Sequence, residues 1–274
     1  MTCIKIKTAV FLLAGVFVAA ANPARAQLFT GAFNNSATGR VDLASASFSI
    51  VTGTTNFLQI VLTNTSSFSG YNNPDVLSGL FFAIATNPTI IPTSAVAPSI
   101  VNPSGCASGF VSACSGTNVD VGHEFGFVHS ATGFSGALAT TAQYGIGAAG
   151  YSSLTPTFGS AASFGANPPN LDGNPGLDGL GFSIVGAAYS NAASSNSLSS
   201  VPLVQSSVTF GFALPTGVST LSISNVTFAY GTAPDGSVGA KGGGTGVPEP
   251  ASLALIGAGM AALGLVRRRR SRAA

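Results

Sequence analysis

The chain has 274 residues, with 10 Lys and Arg against 8 Asp and Glu, 35 glycines and no tryptophan. Between Gln27 and Val247 the bases are Arg40 and Lys241 and the acids are Asp42, Asp75, Asp120, Glu124, Asp172, Asp178 and Asp235, so this body carries two minus seven, or −5. An acidic body without a basic stripe argues against nucleic-acid binding, and Phe, Val, Leu and Ile spread along its length argue against disorder.

Lys5 and Lys7 precede an apolar run over residues 8–21, followed by Ala24-Arg25-Ala26. A basic region, an apolar core and a small-x-small site make a secretory signal peptide, with cleavage expected between Ala26 and Gln27 by signal peptidase after passage through the secretion translocon. The alternative, a retained anchor, is disfavoured by the short apolar run and by Pro23. Cys3 lies in the leader, far from the cleavage site, and is not a lipoprotein cysteine.

The body reads as strands. Leu58, Ile60 and Leu62 alternate with Phe57, Gln59, Val61 and Thr63, a period of two. The near-continuous apolar run LSGLFFAIA, from Leu77, predicts a central strand buried on both faces. Further strands are expected over 46–51, 119–128, 137–144 and 182–189. Val208, Phe210 and Phe212 alternate with Ser207, Thr209, Gly211 and Ala213, and in TLSISNVTFAY the parity slips near Ser224-Asn225, which predicts a bulge. Asn73-Pro74-Asp75, Asn87-Pro88 and Asn102-Pro103-Ser104-Gly105 are turn signals, and SNAASSNSLSSVP reads as a surface loop.

Cys106 and Cys114 remain after leader removal, and export places them in an oxidising compartment, so a disulfide is expected. A loop this small contributes roughly 2–3 kcal/mol in the chain-entropy account. A metal site is the rival reading, disfavoured because there is no CxxC pair.

GHEFGFVHS holds both histidines. His123-Glu124 begins like HExxH, but the second histidine is His129 rather than residue 127, so the one-turn spacing of a zinc protease is missing. Read as a strand, His123, Phe125, Phe127 and His129 share one face, with the histidines about 20 Å apart, too far to share a metal. GIGAAG, over residues 145–150, matches GxGxxG with Asp172 downstream, but Pro156 and the absence of a helical period after it remove the context that dinucleotide binding needs.

Asp172, Asn174 and Asp178 offer hard oxygen ligands and form the one Ca²⁺ candidate, although the loop lacks Gly at its sixth position and Glu at its twelfth. Otherwise no cofactor is expected. No GxSxG elbow is present and no two carboxylates stand in a recognisable pair, so hydrolase chemistry is disfavoured and the chain is expected not to be an enzyme. Without tryptophan, sugar stacking would fall to Tyr71, Tyr144, Tyr151, Tyr189 and Tyr230, residues that more often finish the edge of a core.

Residues 231–247 hold seven glycines in seventeen positions and read as a flexible linker carrying the C-terminus away from the fold. Pro248-Glu249-Pro250 follows, then residues 251–266 without a charge, then Arg267, Arg268, Arg269, Arg270 and Arg272. Sixteen helical residues span about 24 Å, slightly less than a ~30 Å hydrocarbon core, and the arginines stay on the cytoplasmic side. The body is therefore expected outside, and Gly257 and Gly259 allow close helix approach within the membrane.

This tail resembles a PEP-CTERM sorting signal, with all three parts in order. The resemblance covers about the last 27 residues. It implies export by a Gram-negative bacterium, a sorting role for Pro248, Glu249 and Pro250, and a retention role for the arginines. It also implies processing by an exosortase during transit of the inner membrane, delivery to the cell surface or extracellular space, and association with exopolysaccharide. LTNTS, VLSGLFF and ISNVTFAYGT resemble segments of a subgroup of exosortase-dependent surface proteins that implies no enzymatic activity.

The expected organisation is a signal peptide over 1–26, an all-β domain over 27–230 folded as a β-sandwich or jelly roll, a linker over 231–247, and a sorting signal over 248–274 that includes a short transmembrane helix. The expected role is structural or adhesive, at the surface or in the polysaccharide matrix, with glycan binding as the alternative.

Overall fold

The computed structural model describes residues 26–102, 116–135, 141–148, 162–164, 180–231 and 243–246. In chain order the strands are β1 (Gln27–Asn35), β2 (Arg40–Val51), β3 (Phe57–Asn64), β4 (Leu77–Ile84), β5 (Ile91–Ala97), β6 (Ile100–Val101), β7 (Val119–Asp120) and β8 (Gly126–His129). They continue with β9 (Tyr144–Gly147), β10 (Ala162–Ser163), β11 (Ile184–Val185), β12 (Leu203–Gln205), β13 (Ser207–Ala213), β14 (Ile223–Tyr230) and β15 (Gly243–Gly246). The expected all-β sandwich is what the chain forms, with about half of the described residues in strands.

One sheet runs β15-β1-β2-β3-β13-β5-β7. The other runs β10-β8-β9-β4-β11-β12-β6, and β14 pairs with β4. The pairings are antiparallel except β11 with β12.

Alternation decides which face of the first sheet is buried. On β2, Ala44, Ala46, Phe48 and Ile50 point inward; on β3, Leu58, Ile60 and Leu62; on β13, Val208, Phe210 and Phe212. Aromatic rings cross between the layers. Phe48 meets Phe82 at 5.2 Å, Phe210 meets Phe125 at 5.1 Å, and Phe212 meets Phe127 at 5.0 Å, each edge to face. Such pairs add roughly 0.5–1.5 kcal/mol each beyond the area they bury.

β4 is buried at every residue, as its unbroken apolar run requires, and it pairs with β14, β9 and β11. The parity slip in β14 is a bulge: register shifts between Ser224 and Thr227, and Asn225 takes a left-handed φ of 51°.

Three expectations are corrected. The strand predicted over 119–128 is broken into β7, a 3-10 turn at Gly122–Glu124, and β8. Asp120 Oδ1 accepts the Gly122 N–H at 2.9 Å, and a Cβ on Gly122 would strike the Phe164 carbonyl, so the chain turns at this glycine. His123 therefore does not share a strand face with Phe127 and His129. The strand expected over 182–189 shrinks to the two residues of β11, with Phe182 at φ 58°. Within the expected linker, Gly243–Gly246 forms edge strand β15 against β1.

Candidate functional site

Two places in the described fold bear on function: the edge where the chain enters and leaves the first sheet, and a buried polar joint at the opposite end of β1.

At the edge, β1 and β15 run antiparallel, with Gln27 opposite Gly246, Leu28 opposite Thr245, Phe29 opposite Gly244 and Thr30 opposite Gly243. Gln27 is the residue expected to follow the signal-peptide cut. Its side chain pins the start of the strand: Nε2 donates to the Leu221 carbonyl at 3.0 Å, and Oε1 accepts the Ile223 N–H at 3.2 Å. β1 thus begins, and β15 ends, at the same end of the sheet.

At the other end, the Asn35 amide nitrogen reaches Asp42 Oδ2 at 2.9 Å, Asp75 Oδ1 at 3.1 Å and the Pro74 carbonyl at 3.1 Å. Thr38 Oγ1 donates to Asp75 Oδ1 at 2.7 Å, and the Asn72 N–H to Asp75 Oδ2 at 3.0 Å. Arg40 completes the joint with an ion pair to Asp75 Oδ2 at 3.2 Å, while its guanidinium lies 5.1 Å from the centre of the Phe68 ring. Both carboxyls are fully buried.

Asp42 differs from Asp75 in lacking an ion pair of its own. Its Oδ1 finds no hydrogen-bond partner among the described residues, and burial pushes its carboxyl up to about 7, against the Asn35 hydrogen bond that lowers it. This pair was not recognisable in the sequence, because seven residues separate Asn35 from Asp42 and the turn at Asp75 is remote. With Asn35 and both carboxyls closed to solvent, the joint ties the β1–β2 hairpin to the turn that leads into β4.

The histidines are not brought together. His129 stacks on Tyr144 at 4.7 Å and shares a hydrogen bond of 2.8 Å between its Nε2 and Asn87 Oδ1, and burial lowers its pKa. His123 sits in the 3-10 turn. Among the described residues no three His, Cys, Asp or Glu side chains gather as a metal group. Gly145 and Gly147 lie in β9, inside the sheet, rather than at a strand-to-helix turn.

Tyr71, Tyr144, Tyr189 and Tyr230 are core residues and present no stacking platform to solvent. Burial pushes the Tyr71 hydroxyl up to about 12. Ala24, Cys106, Cys114, Tyr151, Asp172, Asn174, Asp178, Pro248, Glu249, Pro250, Arg267, Arg268, Arg269 and Arg270 lie outside the described residues.

The description "PEP-CTERM protein-sorting motif" matches residues 246–270, beginning at the last residue of β15. This motif supports an exported surface protein targeted to an exosortase. The motif thus overlaps edge strand β15 by one residue, Gly246. No curated protein and no solved structure matches the chain. Among the described residues no helix is long and apolar enough to cross a membrane.

Proposed function

We propose that the chain is delivered as a non-enzymatic structural or adhesive component of the cell surface or its polysaccharide matrix. Signal peptidase cuts before Gln27, the apolar tail over 251–266 holds the body in the inner membrane, and exosortase cuts near Pro248-Glu249-Pro250. The observation that carries this reading is the sorting motif itself, which begins at Gly246, the last residue of edge strand β15.

The test uses a pull-down with the producing cell's own exopolysaccharide and a turnover screen on glycosidic, ester and peptide substrates. Retention in the matrix fraction without turnover supports the reading; catalytic turnover lost on mutation of a body residue overturns it.

Glycan binding is the second reading, favoured by the outward face of the first sheet. There Ser45 faces Thr63, Ser47 faces Val61 and Ser49 faces Gln59, and on the next strand Thr209 faces Val61. This is an uncharged, hydroxyl-rich surface suited to a neutral polysaccharide. Saturable binding on a glycan array, lost when Ser47 and Thr209 are replaced by Glu, would favour it over a purely structural role.

A further inference from the structure

Five large apolar side chains stand exposed among the described residues: Val41, Leu43, Val51, Phe57 and Ile91. Three of them fall in one row. Val51 pairs with Phe57, Phe57 with Ala213, and Ala213 with Ile91, so the row crosses β2, β3, β13 and β5 at one end of the first sheet. Their exposures are 48%, 38% and 60% for Val51, Phe57 and Ile91. Singly exposed apolar residues need no explanation, but a contiguous row does.

Three loops share this end: 52–56, 85–90 and 214–222. They are tied together, since the Leu214 N–H donates to the Asn56 carbonyl at 3.0 Å, Asn56 Nδ2 to the Val218 carbonyl at 2.9 Å, and the Ala85 N–H to the Ser222 carbonyl at 3.0 Å. None of the three loops holds a charged residue. Arg40, Asp42 and Asp75 gather at the opposite end, beside the other two exposed apolar residues, Val41 and Leu43.

The uncharged end is also the one toward which both termini of the body point. Gln27 and Gly246 are opposed at the level of Phe48, and the row at Val51 lies three residues farther on, about 10 Å along the strand. The apolar tail starts at Ala251, five residues beyond Gly246. Fully extended, those five residues reach only about 17 Å. With Ala251 at the hydrocarbon boundary and the strands directed toward the membrane, these two lengths put the Val51–Phe57–Ile91 row within about 7 Å of the membrane plane.

We propose that this rim is a lipid-docking surface: until exosortase cuts the tail, Val51, Phe57 and Ile91 with their three neutral loops rest on the outer face of the inner membrane and hold the motif at a fixed height. The apolar row enters the headgroup region, the neutral loops bear no ion that would have to be dehydrated, and the tether supplies the high local concentration that lets a small patch suffice. The proposal rests on the reading that residues 251–266 enter the membrane.

The test reconstitutes the full chain in vesicles of phosphatidylethanolamine and phosphatidylglycerol doped with a photoactivatable phospholipid, and maps lipid adducts by mass spectrometry. Adducts are expected on the tail and on 51–57, 85–91 and 214–222, with 36–39 at the far end as the unlabelled control. The variant Val51→Ser, Phe57→Ser, Ile91→Ser should bring rim labelling down to that control while tail labelling persists, and its circular dichroism should match the parent because all three sites are exposed. A labelled tail with an unlabelled rim overturns the docking surface and leaves the membrane reading standing. An unlabelled tail removes both, and rim-to-rim cross-links in place of lipid adducts overturn docking in favour of self-association.

Discussion

Gln27 and Gly246 face each other across neighbouring antiparallel strands, so the first residue expected after the leader and the first residue of the matched sorting motif are partners in one sheet. The described chain therefore enters β1 and leaves β15 at the same end of one sheet.

The pairing is short, and in β15 only Thr245 carries a side chain larger than hydrogen. Gly244→Pro removes a ladder N–H and prevents strand geometry there. The expected result is faster amide exchange over 27–30 with no more than about 1 kcal/mol lost from global stability, since few hydrogen bonds are involved. A loss several times larger would show that β15 closes the fold rather than decorating its edge.

Asp42 gives the fold a pH dependence with a definite sign. Its carboxyl is held up to about 7 in the folded chain by burial, against about 3.9 when unfolded. Between those values the folded state binds the extra proton, so its stabilising contribution is complete below pH ~4 and is lost as the pH rises through about 7. One proton corresponds to at most about 1.4 kcal/mol per pH unit. Asp42→Asn should flatten this slope and raise the melting midpoint at pH 8 relative to the parent, with the two proteins converging at pH 4. Thermal melts across that range check it.

Asn35 is the hub of the same joint. Asn35→Ala takes a donor from Asp42, Asp75 and Pro74 together; Asp75 keeps Thr38, Asn72 and Arg40, but Asp42 Oδ2 loses its Asn35 bond, and a buried acceptor left unpaired costs about 1–3 kcal/mol. A denaturant titration should show at least about 2 kcal/mol of destabilisation. A value near zero would mean that water or a neighbour replaces the amide without loss.

Gly186 is a tight spot between layers. Its N–H donates to the Tyr71 hydroxyl at 2.8 Å, and a Cβ there would press on both that hydroxyl and the Ser66 carbonyl. Gly186→Ala should destabilise by about 1–3 kcal/mol, because the obstacles are a backbone group and a fully buried ring. Ala at Gly39, where a Cβ meets nothing within 4 Å, is strained by its φ of 70° and should cost about 1 kcal/mol or less.

Strands whose side chains alternate cleanly were legible in the sequence. Leu58, Ile60 and Leu62 lie inside, as do Val208, Phe210 and Phe212, and the unbroken apolar run of β4 marks the buried middle of the second sheet. The slip at Asn225 was legible as well, because a bulge changes parity. β1 was not, since Gly31 stands between the inward Phe29 and Phe33 and weakens the pattern. β15 was invisible for a physical reason: glycine has no side chain with which to signal a face. The break at Gly122 depends on contact with Phe164, a partner forty-two positions away that no local period reveals. The Asn35–Asp42–Asp75 joint is likewise a product of pairing order rather than of motif.

The account turns on the body of this chain being a cargo cut free at both ends. Intact mass measurement of the protein recovered from the surface fraction tests that most directly. The predicted species begins at Gln27 and ends near Pro248-Glu249-Pro250. A cytosolic species running from Met1 to Ala274 would contradict it.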